Sequence, residues 1–199
     1  WRIPSWRTGG PNCRQAVPMP RHPHPHAVGA VIDHANSVTN QVYIGIGSNL
    51  AEPVQQVKAG FAALAALPET TLVQTSRLYG NPPMGPVPQP DYVNAAAAID
   101  TAYAPDALLQ ALKAIENQAG RDLDGQRWGP RPLDLDILLY GDSPYQSDTL
   151  SIPHPGMPER AFVLYPLAEI APELVIPGMG LLSDLVKKVD GSGMVPIEG

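Results

Sequence analysis

The sequence predicts an α+β sandwich of ferredoxin-like βαββαβ order, one sheet with helices on one face, extended by extra C-terminal helices. Three observations lead there. Four apolar stretches have strand character, at 41–49, 70–80, 92–100 and 133–141. Two intervening stretches, opening at Pro53 and Pro105, keep apolar side chains at helical spacing. Their order along the chain, with no internal repeat, is that of a split βαβ unit.

The elements follow in turn. Residues 1–40, rich in Pro, Arg and His, have neither helical nor strand periodicity and are expected to be a disordered extension. Its RHPHPH run (21–26) is either a weak metal binder or an incidental His-Pro alternation. Residues 41–199 form the expected folded domain. QVYIGIGSN begins as a strand and is expected to break at Gly45 and Gly47, where a tight turn accounts for both glycines without a ligand. Pro53 sits at a first helical position, with Val54, Val57, Phe61 and Leu64 on one face. TTLVQTSRLYG is a second strand, and NPPMGPVPQPD is a proline-stiffened loop that continues no ladder. YVNAAAAID is a third strand. The second helix carries Leu108, Leu112, Ile115 and Ala119 in its stripe and stops at Gly120. LDLDILLYG is the fourth strand. A helix over about 158–170 and a short one near LLSDLVKK complete the chain.

Charge narrows the function. The net charge is −6 and residues 1–40 hold four of the arginines, so the body is acidic, which argues against a nucleic-acid binder. No apolar run approaches the ~18 residues of a membrane span. The single cysteine, Cys13, excludes an internal disulfide framework and fits a reducing, cytoplasmic setting; a monomer is expected. Four arginines (Arg121, Arg127, Arg131, Arg160) cluster within 121–160, a pattern suited to a small anion such as phosphate.

The chemistry concentrates in RWGPRPLDLDILLYG (127–141). Residues two apart share a strand face, so Asp134 and Asp136 point the same way, roughly 7 Å apart at Cα, while Leu133, Leu135 and Ile137 face the core. Two adjacent carboxylates raise each other's pKa unless a cation meets them. One or two Mg²⁺ ions suit the pair, because magnesium takes one or two carboxylates plus phosphate oxygens. The competing reading is an exposed D-x-D salt-bridged to Arg131 or Arg127. Arg160 arrives from a separate segment with Ser151 and His154. Tyr92 and Asn94 share a face of the third strand, and Phe162 follows Arg160; aromatics beside an amide suit a flat heterocycle, though such residues are also ordinary core.

These segments together resemble the 6-hydroxymethyl-7,8-dihydropterin pyrophosphokinase family of folate biosynthesis. The resemblance runs from about Val42 to Leu185, through YIGIGSNL, PPMGP and QPDYVNA, Gly120-Arg121 followed by RWGPRPLDLDILLYG, and IPHPGMPERAFVLYPLAEIAPEL. It implies the same ferredoxin-like fold and transfer of the β,γ-diphosphate of ATP to the pterin hydroxymethyl group, with release of AMP. It implies that Asp134 and Asp136 bind two Mg²⁺ ions and that Arg121 and Arg131 grip the phosphates. Glu116, Ile137, Ser151, His154 and Arg160 would line the ATP side, with Trp128 on a closing loop. Tyr92 and Phe162 would sandwich the pterin, Asn94 would hydrogen-bond its edge, and Asn81 and Met84 would contribute from the loop. The chain departs from the pattern at Asp122–Gln126, which lacks basic residues, at Asn81, where threonine is frequent, and at Gly156, where a longer side chain is usual. The alternatives are a non-catalytic ferredoxin-like binding module and a metal-dependent phosphohydrolase using the same aspartates on water.

Overall fold

A computed structural model of the chain describes residues 39–83, 88–120 and 131–198. Its order is β1 (Asn40–Ser48), α1 (Pro53–Ala65), β2 (Thr70–Thr75), β3 (Leu78–Asn81), β4 (Tyr92–Thr101), α2 (Pro105–Gln118) and β5 (Asp134–Tyr140). There follow β6 (Tyr145–Gln146), β7 (Ser151–Ile152), a 3₁₀ turn at Met157–Glu159, α3 (Ala161–Ile170), β8 (Val175–Ile176), β9 (Gly180–Leu181), α4 (Leu182–Val186) and β10 (Val195–Ile197). The result is a mixed α/β fold on an antiparallel sheet, with four α-helices among the described residues. The sheet order is β10-β3-β4-β1-β5, with β2 also paired to β4.

β1 is an interior strand of this sheet, between β4 and β5, and corrects the expected break. It runs unbroken through Gly45 and Gly47 because both edges are held, by β4 on one side and β5 on the other. Two ladders override the weak strand preference of glycine. The expected strand 70–80 is two strands, β2 and β3, paired to successive parts of the long β4. They are interrupted at Ser76, whose N–H donates to Ala96 O and whose hydroxyl accepts from Ala96 N–H. β10 was not foreseen; it extends the sheet beyond β3.

Helices cover both faces of the sheet, not one. On the first face, Val42, Ile44 and Ile46 of β1 join Val57 and Leu64 of α1 and Leu108 and Leu112 of α2 in a fully apolar cluster. On the second, Ala96, Leu138 and Leu139 pack with Val163, Leu164 and Leu167 of α3 and Leu182 and Leu185 of α4. α3 is apolar nearly all round, so it is buried between the sheet and the C-terminal segment, as the physics of such helices requires. A register shift in β5 opposite Tyr43/Ile44 turns both Leu138 and Leu139 to the second face, which strict alternation would forbid. No helix among the described residues is long and apolar enough to cross a membrane.

Candidate active site

The second face opens, beside α3, into a cavity of about 410 Å³. Its floor follows from the strand register. Gly47 lies opposite Asn94 on β4 and opposite Asp134 on β5; Gly45 lies opposite Ala96 and Asp136. Neighbouring strands are about 4.8 Å apart, so Asn94 and Asp134 stand roughly 10 Å apart at Cα with only a glycine between them. A Cβ at Gly47 would come 2.7 Å from Asn94 Oδ1, and one at Gly45 would come 3.2 Å from Leu138 Cδ2. The glycines are there to leave the floor bare, a use the turn reading did not give them.

Flat and amide-bearing groups line part of the cavity. Tyr92, Asn94, Asn81 and Phe162 all line it, as the sequence expectation grouped them. Asn94 is 6% exposed and its Nδ2 donates to Asn81 Oδ1 at 2.6 Å, while Asn81 Nδ2 donates to Pro82 O at 2.9 Å. The Asn94 amide is thereby held in one orientation. The Tyr92 hydroxyl donates to Gln89 Oε1 at 3.2 Å.

Charged groups line the cavity as well. Asp134, Asp136, Arg131 and Arg160 line it together. Arg131 NH1 donates to Asp134 Oδ1 at 2.8 Å, so the arginine of the competing D-x-D reading is present at one of the two acids. Among the described residues Asp136 makes no ion pair. Burial, and then the neighbouring Asp134 charge, hold its carboxyl above the usual range, against the pull of His154, Arg160 and Arg131. For Arg131, burial works against the charge, but Asp134, Glu116 and Asp136 outweigh it and strengthen its hold on the proton. Two carboxylates on one strand face are a donor set suited to Mg²⁺, and a divalent cation there would relieve their mutual repulsion. Among the described residues no group of three or more ligating side chains exists, so the remaining ligands would be substrate oxygens and water. The Arg160 guanidinium lies 5.8 Å from the Phe162 ring centroid and directly over Gly156, where a Cβ would come 2.8 Å from its Cζ. The short residue at 156 is what lets Arg160 reach the cavity.

Other expected residues stand outside the cavity lining. Ile137 faces the first apolar cluster, so its side chain is core. Glu116 is 3% exposed on α2 and accepts from Leu135 N–H at 2.8 Å. Ser151 belongs to the β6–β7 ladder, and His154 Nδ1 accepts from Gly156 N–H at 3.1 Å. Met84, Arg121 and Trp128 lie outside the described residues.

Asn49 is the residue that sequence reasoning missed. It is 1% exposed, its Oδ1 accepts from Arg131 N–H at 2.8 Å, and its own N–H donates to Arg131 O at 3.2 Å. Its Nδ2 donates to Gln89 Oε1 at 3.2 Å. One amide side chain therefore ties the approach to β5 to the proline-rich segment before β4. The signal was a polar residue directly after a buried strand, within a stretch read only for its glycines.

The comparisons now bear on this geometry. The sequence model of the 7,8-dihydro-6-hydroxymethylpterin-pyrophosphokinase family matches residues 43–172, well over half of the chain. The chain belongs to this family. A 2-amino-4-hydroxy-6-hydroxymethyldihydropteridine pyrophosphokinase of Pseudomonas aeruginosa is 49% identical over 159 residues, 80% of this chain and 98% of that protein. The folic acid synthesis protein fol1 of Schizosaccharomyces pombe is 38% identical over 142 residues, 71% of this chain but 19% of that protein. Among solved structures, a Plasmodium falciparum HPPK-DHPS with pterin and p-hydroxybenzoate aligns with a TM-score of 0.64 at 14% identity, covering 81% of this chain and 47% of that one. That likeness concerns the fold alone. Family membership covers every element that builds the cavity, from β1 through α3.

Proposed function

We propose that the chain transfers the β,γ-diphosphate of ATP to the hydroxymethyl oxygen of 6-hydroxymethyl-7,8-dihydropterin, giving AMP and the pterin diphosphate, within folate biosynthesis. The observation that carries this reading is the Asn94–Gly47–Asp134 row: a site for a flat amide-bearing ring and a site for a metal-bound polyphosphate share one cavity. Asp134 and Asp136 would hold two Mg²⁺ ions, which neutralise triphosphate charge and polarise the attacking hydroxyl.

The chain's own residues then do the positioning. Tyr92 and Phe162 clasp the pterin, and Asn94 bonds its edge. Arg131 exchanges Asp134 for a phosphate oxygen when the substrates bind, and Arg160 meets the triphosphate from the α3 side. In the transfer, the hydroxymethyl oxygen bonds to the β-phosphorus and loses its proton to solvent. The bond from that phosphorus to the α,β-bridging oxygen breaks, and the oxygen leaves with AMP. Such transfer asks the protein for alignment and charge, not for a covalent nucleophile. Met84, Arg121 and Trp128 enter the proposal through the family resemblance, as do Ser151 and His154 on the nucleotide side. The strand order β5-β1-β4-β2 supports a ferredoxin-like arrangement, and the single Cys13 fits a reducing, cytoplasmic setting.

Incubation with Mg-ATP, with and without the hydroxymethyl pterin, tests the reading. AMP formed only when the pterin is present is the expected result. Phosphate released without pterin would indicate the hydrolase instead, and no turnover of ATP in either case would indicate a binding module.

A further inference from the structure

The sheet-facing stripe of α2 runs Leu108, Leu112, Glu116, and all three are buried. A carboxylate at the third position of an apolar stripe is costly unless it is bonded. The Glu116 carboxylate is bonded to the backbone of β5. Among the described residues that strand is at the edge of the sheet, paired only to β1, so alternate amides face outward with no described strand to receive them. Leu135 N–H is one of these, and it donates to Glu116 Oε1 at 2.8 Å. Leu135 stands between Asp134 and Asp136. We propose that Glu116 is a positioning residue that tethers the edge strand at the amide of Leu135, the one residue between the two acids, and so holds both carboxylates on the cavity face.

The need for a tether is electrostatic. Two like charges on one unsupported edge repel, and the strand relieves that repulsion by twisting or fraying. A charged acceptor bonded to the intervening amide resists this more strongly than a neutral one. Glu116 also helps hold Arg131 cationic, so it adds to the field of the site without lining the cavity. The role differs from a direct contact with nucleotide: Glu116 acts through Leu135. The inference rests on the metal-holding reading of Asp134 and Asp136.

Amide exchange of the uniformly labelled protein, followed by NMR, tests the tether without any ligand. In the native chain Leu135 N–H should be protected at least about 10-fold more than the amides of the exposed residues Asp142 and Ser143, just beyond β5. Glu116→Leu should abolish that difference, and Glu116→Gln, which keeps an acceptor, should retain most of it. Mn²⁺ binding in the presence of a non-hydrolysable ATP analogue, followed by EPR, should weaken about 10-fold or more in Glu116→Leu and less than about 3-fold in Glu116→Gln. An unprotected Leu135 amide in the native chain overturns the proposal, even if the leucine variant does not fold. So does an equal loss of Mn²⁺ binding in both variants, which would mean that the charge itself meets the nucleotide complex. A protected amide with no Mn²⁺ binding by the native protein would sink the metal reading of the aspartates and leave the tether standing.

Discussion

A single methyl group at Gly47 should separate pterin recognition from nucleotide recognition. In Gly47→Ala the new Cβ meets Asn94 Oδ1 at 2.7 Å, closer than non-bonded atoms tolerate. Asn94 cannot simply swing aside, because it is buried and bonded to Asn81 at 2.6 Å. Moving its amide off a rotamer minimum costs about 0.5–1.5 kcal/mol. Losing the Asn81 bond costs about 0.5–1.5 kcal/mol more. The sum, about 1–3 kcal/mol, corresponds to a pterin affinity weakened roughly 5- to 150-fold. Calorimetric titration of the pterin, with a non-hydrolysable ATP analogue saturating, measures it. Titration of the analogue alone should change less than about 2-fold, since Arg131 and Arg160 are untouched. Gly45→Ala is the control: its Cβ meets the end of the flexible Leu138 side chain at 3.2 Å, and the pterin should lose only a few-fold. An unchanged pterin Kd in Gly47→Ala, or an equal loss for both ligands, would refute the bare-floor argument.

Asn49→Ala strips the acceptor from Arg131 N–H and the donor from Gln89, leaving a buried amide unsatisfied at a cost of about 1–3 kcal/mol; steady-state kinetics should show kcat/KM down about 10- to 100-fold with the circular dichroism spectrum preserved. Asp134→Asn or Asp136→Asn should lose nearly all AMP formation while the fold persists, and a variant that kept most of its turnover would contradict the metal assignment. Asp106 accepts hydrogen bonds from Tyr145 and Ser147, which hold its carboxyl below its ordinary value. A depressed carboxyl contributes stability that is full above its unfolded pKa, near 3.9, and is lost as the pH falls through the folded value. Asp106→Asn should therefore be less stable than the native chain at pH 7 in urea melts, with the gap shrinking as the pH drops below about 4.

How much of this was legible in the sequence depends on what each signal measures. Alternation put Asp134 with Asp136, and Tyr92 with Asn94, on common faces, and the registers and the cavity lining agree with both pairings. Helix stripes gave Leu108 and Leu112 as core. Local reasoning failed where tertiary pairing decides. Gly45 and Gly47 look like strand breakers until β4 and β5 are known to flank them. The Ser76 interruption exists only because β4 is long enough to pair with both β2 and β3. Ile137, Leu138 and Leu139 are all apolar, so no pattern could reveal the shift that turns two neighbours to one side. Asn49 was hidden for a related reason: a clasp between distant loops has no period.

A cavity floor built from peptide backbone also matters for resistance. A compound that gains its affinity by lying flat against Gly45 and Gly47 rests on atoms that no codon change removes. An obvious escape, a bulkier residue at position 47, collides with the Asn94 amide proposed to hold the pterin edge. Antifolates aimed at that surface would therefore force any evading cell to sacrifice its own vitamin synthesis.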